Sequence, residues 1–136
     1  MSNNNRLSLS LLLLRIGVFI VMFIWTLDKF VRPEHARIVY EKFYHIPGVG
    51  STAFSVIAAL ELLIIAGFLV GYKKKWTYGA VLVLHGISTI MAYRQYFAPF
   101  EGGNILFFAA WPMLAACYAL YVLRDQDTMW VIEKQR

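Results

Sequence analysis

Arg15, Glu61 and His85 stand inside long apolar runs, well away from the ends of those runs. An arginine or a carboxylate at the centre of a membrane helix costs about 2.5–3.5 kcal/mol on an insertion scale, so such groups turn inward and find partners. A guanidinium meets a carboxylate as a two-pronged fork. An imidazole titrates near neutrality and can pass a proton. Two kinds of chemistry follow. In the first, Arg15 and Glu61 form an ion pair that fixes helix pairing, with His85 as interhelical hydrogen-bond glue. In the second, the three line a pocket for a small amphipathic molecule such as a quinone, with Glu61 the acceptor, Arg15 its counter-ion and His85 a hydrogen-bond or proton partner. Both readings stay open on the residues alone.

The elements that must position these groups are read from the apolar runs. Four runs approach the roughly 20 residues that cross a bilayer as helix. They predict transmembrane helices over about residues 7–30, 51–71, 76–96 and 104–123, with a polar tail over 124–136. The expected fold is all-α: one integral membrane domain, built as an antiparallel four-helix bundle. Of the 136 residues, 60% are hydrophobic and 15% charged, against about half and a quarter in a soluble domain. That excludes a separate soluble catalytic domain or a Rossmann unit. Arg15 interrupts the first run and no small-x-small cleavage site follows, so that run is expected to stay as a helix rather than leave as a signal peptide.

The net charge of +5 comes from 13 Lys and Arg against 8 Asp and Glu. Most of the basic residues lie at the ends of the runs, where they anchor helices to headgroups, so no basic face is left to track nucleic acid. Arg6, Lys73, Lys74, Lys75, Arg124, Lys134 and Arg136 fall on one side of a four-span chain, and Lys29, Arg32, Arg37, Lys42 and Arg94 on the other. The triple lysine in the shortest loop puts both termini on the cytoplasmic side. Cys117 is the only cysteine, so internal disulfide chemistry is excluded. His35, Glu41 and His45 match no metal motif, and no metal is expected. Haem on His85 would need an opposing ligand, and nothing places Met91 or Met113 for that role.

Counting at about 1.5 Å per residue puts Arg15, Glu61 and His85 within a layer about 5 Å thick. At about 100° per residue, Ser8, Met22, Thr26 and Lys29 share the face of Arg15, while Tyr78, Ser88, Thr89 and Tyr96 share that of His85. Glu61 has apolar company on its own face (Phe54, Ile65, Phe68), so its partner must come from another helix, with Arg15 the obvious choice. Asn104 opens the fourth helix on the face of Trp111, Ala115 and Tyr118, and Pro112 removes a backbone donor there. Gly67 and Gly71, four apart, would allow close approach near the end of the second helix. An outer layer of Asp28, Lys29, Arg94, Gln95, Tyr96, Glu101 and Asn104 reads as interfacial anchors, except that Lys29 is placed to guard an opening. In the long first loop, Pro33 opens and Pro47-Gly48 closes a short amphipathic helix. Its Ala36, Val39, Tyr40 and Phe43 would lie on the outer surface or cap the bundle mouth.

Leu13-Leu14-Arg15-Ile16-Gly17, then Trp25-Thr26-Leu27-Asp28-Lys29-Phe30, resembles the first helix of the DoxX family (with the related DoxD type) of small bacterial four-helix membrane proteins. Leu60-Glu61-Leu62-Leu63 with Gly67 and Gly71, and Asn104 at the start of the fourth helix, fit the same pattern. The resemblance covers about residues 8–123. Thr26 stands where the family usually has glycine, and the long first loop and the tail containing Met129-Trp130 match no family feature. The resemblance implies a bacterial inner-membrane bundle, of a group linked to quinone-coupled oxidation of sulfur compounds and to redox or detoxification complexes. Arg15, Lys29, Glu61 and Asn104 are its pattern residues; His85, Thr89 and Tyr96 join them from depth and face alone. The expected function is a subunit or scaffold of a redox complex, with these seven residues around a quinone or similar molecule and with lipid and redox subunits as partners. The alternatives are a small permeation pathway gated near Lys29 and Tyr96, and a purely structural membrane adaptor.

Overall fold

The computed structural model describes residues 2–133, and among them every regular element is a helix. The first, α1 (Asn3–Val31), begins four residues before the apolar run because Ser2 caps it, its hydroxyl accepting the Asn5 N–H at 3.4 Å. At about 1.5 Å per residue α1 is about 43 Å long, longer than a hydrocarbon core of about 30 Å. Pro33, at the first helical position, opens α2 (Pro33–Phe43). After an irregular stretch come α3 (Ser51–Leu69) and α4 (Lys74–Met91). The turn between them uses two left-handed residues, Gly71 (φ 63°) and Lys73 (φ 44°).

The third apolar run is not one helix. Tyr96 donates its hydroxyl to the carbonyl of Thr89 at 2.9 Å, taking an acceptor that the next turn of α4 would use. The chain breaks at Ala92 and resumes as the short α5 (Tyr93–Phe97). The fourth run opens as a 3₁₀ segment (Asn104–Ala109) before settling into α6 (Ala110–Val122). Pro112 has no N–H to give Phe108, so the tighter winding ahead of it loses nothing that an α-helix would keep there.

α1, α3 and the Asn104–Val122 stretch are each long and apolar enough to cross a membrane. Lys74, Lys75 and His85 dilute α4, which packs against α3 and α6, while α1 packs against α3 and α6. Leu11, Val18, Ile65, Phe68, Val81 and Leu120 are buried where these helices meet. Leu13, Ile24, Leu63 and Ile90 instead face outward, each at least 60% exposed. A soluble monomer rarely shows so much apolar surface. This is a membrane protein whose helices present apolar side chains to lipid.

Beyond α6 the tail is docked rather than free in solvent. The Ile132 N–H bonds the carbonyl of Val70 (2.8 Å), the Glu133 N–H that of Gly71 (3.3 Å), and the Lys74 N–H bonds the Glu133 carboxylate (2.9 Å). Gly71 is required twice over, by its positive φ and by the tail: a Cβ there would come within 2.5 Å of Val131. Lys134 and Arg136, counted in the charge argument, lie outside the described residues.

Candidate functional site

Apart from Arg6 near its start, the ionisable groups of α1 form two clusters, around Arg15 and around Lys29. A helical side chain leans towards its own N-terminus. Arg15 therefore reaches to the end where α3 turns into α4 and where the tail docks. Its Nη1 donates to Asp127 Oδ2 (2.9 Å) and to the Tyr78 hydroxyl (3.0 Å), and its Nη2 to the carbonyls of Met129 (2.6 Å) and Trp130 (3.3 Å). Tyr78 in turn donates to Asp127 Oδ2 at 2.7 Å. Lys74 closes the ring from α4, its Nζ bonding the carbonyls of Asp127 (2.7 Å) and Arg124 (3.2 Å). Arg15 and Asp127 are both 0% exposed. Arg15 Nε and Asp127 Oδ1 are the two atoms of this cluster without a hydrogen-bond partner among the described residues.

Lys29 leans the same way, but from the far end of α1, so its ammonium points back between the helices. There it meets Glu61 Oε2 at 2.8 Å. The Thr26 hydroxyl, one turn away, lies 3.1 Å from the same oxygen and 2.8 Å from the carbonyl of Met22. Next to Lys29 along the chain, Asp28 holds Arg32 and His35, each at 2.5 Å.

This second cluster opens onto a cavity of about 1160 Å³. Its walls are α1, α4 and the 3₁₀–α6 stretch, and α2 covers one end. Tyr44 ties α2 to α4 through Ser88 (2.7 Å), and Phe43 stacks on Phe107 at 5.7 Å. Along α1 the lining runs from Ser10 to Lys29, and its middle is Leu14, Gly17, Val18 and Val21. Polar side chains gather at the α2 end: Thr26, Asp28, Lys29, Glu61, His85 and Thr89, with Tyr40, Tyr44, Ser88 and Tyr96 around them. Burial, followed by the negative charge of Glu61 and by Tyr44, pushes the Tyr40 phenol up to about 12.

His85 lies 3.0 Å from the carbonyl of Ala110 through Nε2. A carbonyl only accepts, so Nε2 carries the proton. Thr89 sits one turn on, bonded to the carbonyl of His85 (2.8 Å). Tyr96 packs edge-on to Phe108 and tilted against Trp111, each at 5.4 Å.

Of the seven residues expected around one pocket, Lys29, Glu61, His85, Thr89 and Tyr96 line this cavity together. Arg15 and Asn104 do not. Asn104 turns its amide onto the carbonyl of Ala98 at 2.9 Å, tightening the loop before the 3₁₀ segment. The expected Arg15–Glu61 pair is replaced by Arg15–Asp127 and Lys29–Glu61. The depth count put Arg15 at the level of Glu61, but its guanidinium lies level with Gly71, just past the end of α3: a Cβ on Gly71 would lie 3.3 Å from Arg15 Nη1. Glu61 is ten residues back along α3, about 15 Å. Asp127 was missed because the tail reads as a solvated polar segment. The backward lean of Arg15 was the usable signal, since it favours a carboxylate from the tail end over one deeper in α3.

Among the described residues no three His, Cys, Asp or Glu side chains gather to hold a metal. The groups able to hold an organic cofactor are those of the cavity. No protein-family model, curated protein or solved structure matches the chain, so its function is argued from this geometry.

Proposed function

We propose that the chain is a DoxX-like, four-span protein of a bacterial inner membrane, both termini cytoplasmic, and a subunit or scaffold of a redox complex whose cavity holds a quinone or similarly built amphipathic molecule. The observation that carries the reading is the distribution of polarity in the cavity: an apolar length with polar side chains at the α2 end. α4 supplies the fourth span, its 18 residues giving about 27 Å of helix. Of its opening lysines, Lys74 turns inward to the tail and the exposed Lys75 extends towards headgroups.

The chemistry of the polar end suits both redox states of a quinone. An ammonium has three donors and no acceptor, and Glu61 takes one donor of Lys29 among the described residues. The remaining donors serve a quinone carbonyl. Glu61 accepts both its bonds on Oε2, which leaves Oε1 to accept from a quinol hydroxyl. A permeation pathway would need polar groups along its whole length, and the middle of this cavity offers leucine, valine and glycine.

The test is mass spectrometry of small molecules retained by gently solubilised protein. Wild type should carry a quinone, and Glu61→Gln, which keeps the shape but leaves Lys29 without its counter-ion, should lose it. Recovery of no lipid-soluble molecule from either form would overturn the proposal.

A further inference from the structure

The cavity is larger than a ring needs. Along α1 it is lined from Lys29 back to Ser10, a stretch of twenty residues and about 28 Å of helix. Its volume of about 1160 Å³ exceeds the roughly 300–1,000 Å³ of a site for a drug-sized molecule. We infer, resting on the pocket reading above, that the ligand carries one long apolar chain that lies in the seam between α1 and the 3₁₀–α6 stretch, and that the ligand arrives sideways from the bilayer through that seam, over Gly17.

Three observations point there. First, several side chains that line the cavity also face the outside: Leu13 is 61% exposed, Trp25 55% and Leu106 75%. A wall whose residues are lipid-facing is a wall with an opening to lipid. Second, Gly17 lies on the cavity lining in the middle of α1, and a Cβ there would meet no atom within 4 Å. Glycine inside a helix is about 1 kcal/mol worse than alanine, and here no neighbouring helix fills the place its side chain leaves. The bare backbone makes an open floor to the seam.

Third, charge decides the class of headgroup. Lys29, at the polar end, is already neutralised by Glu61 at 2.8 Å. A phosphate or carboxylate head would bring a charge with no cation left over to balance it, because Lys29 is paired with Glu61 and Arg32 with Asp28, and burying an unpaired charge is costly. An uncharged, hydrogen-bonding head avoids that cost. The occupant is therefore an isoprenoid or alkyl chain on a neutral ring, rather than a phospholipid.

The experiment uses the full chain in phospholipid nanodiscs, with decylubiquinone and the same ring lacking its tail as probes. Binding is read as saturable quenching of tryptophan fluorescence, since Trp25 lines the cavity. Gly17→Phe should weaken decylubiquinone by about tenfold or more and leave the tail-less ring within about twofold of wild type. Gly17→Ala should stay close to wild type, and helicity and thermal midpoint should hold in both variants. Glu61→Gln should weaken both probes. The inference is overturned if Gly17→Phe binds decylubiquinone as wild type does, or loses both probes alike. If the glycine variants leave binding untouched while Glu61→Gln abolishes it, the seam fails and the pocket stands. If wild type binds neither probe, the pocket itself fails and the seam with it.

Discussion

Arg15–Asp127 and Lys29–Glu61 have nearly equal charge separations, 2.9 and 2.8 Å, and differ in what surrounds them. The first pair is 0% exposed on both sides, and all four terminal N–H groups of Arg15 have protein partners. The second is 14% and 15% exposed, borders a cavity, and keeps donors of Lys29 and one oxygen of Glu61 available. The choice of cation follows. A planar, always-charged guanidinium suits a closed network of fixed acceptors, whereas a compact ammonium on a flexible stem can turn from one acceptor to another. A pair sealed inside protein holds structure together; one that borders a cavity with donors to spare is able to receive a ligand.

The comparison breaks most readily at Asp127. Asp127→Ala leaves a buried guanidinium without its counter-ion and should lower the unfolding free energy by about 3–5 kcal/mol. Replacing both partners with apolar residues, Arg15→Met with Asp127→Leu, should recover most of that loss. Denaturant titration in detergent checks both. Glu61→Gln in the same assay should shift stability by less, about 1 kcal/mol, because the amide still offers Lys29 an oxygen acceptor and the ammonium borders the cavity. Equal losses at the two sites would erase the distinction.

A smaller effect is expected at Gly71. Alanine there adopts a left-handed conformation at about 1–3 kcal/mol and pushes on Val131. The tail should lift and become sensitive to limited proteolysis, while ligand retention at the far cluster stays as in wild type. The smallest effect concerns Tyr40, which feels Glu61 through its raised phenol. Unfolded tyrosine ionises near pH 10 and folded Tyr40 at about 12. Between these values the folded state holds more protons, so stability falls as pH rises. Tyr40→Phe should flatten that part of the alkaline unfolding curve.

Much of the architecture was legible. The apolar runs marked α1, α3 and the Asn104–Val122 stretch, because length and hydropathy are local properties. Pro33 and the spacing of Ala36, Val39, Tyr40 and Phe43 marked α2 for the same reason. The break at Ala92 was not legible, since it depends on a hydroxyl seven residues from the carbonyl it takes. For the site, faces were read better than depths. The stripe of His85, Thr89 and Tyr96 does border one space, as does Lys29 from the face of Arg15. Counting from the start of an apolar run does not fix how far one helix slides along another, and the guanidinium of Arg15 leans to the tail end of the molecule. The partner of Arg15 comes from a segment that has neither hydropathy nor periodicity to announce it.

The separation of Arg15 and Asp127 along the chain, 112 residues, has a consequence for biogenesis. At translation rates of about 5–20 residues per second, Arg15 leaves the ribosome roughly 6–22 s ahead of the carboxylate that neutralises it. During that interval α3, α4 and α6 are made beside a helix whose arginine still lacks its counter-ion. Closure of the docked tail is thus the step that ends assembly of this end of the molecule.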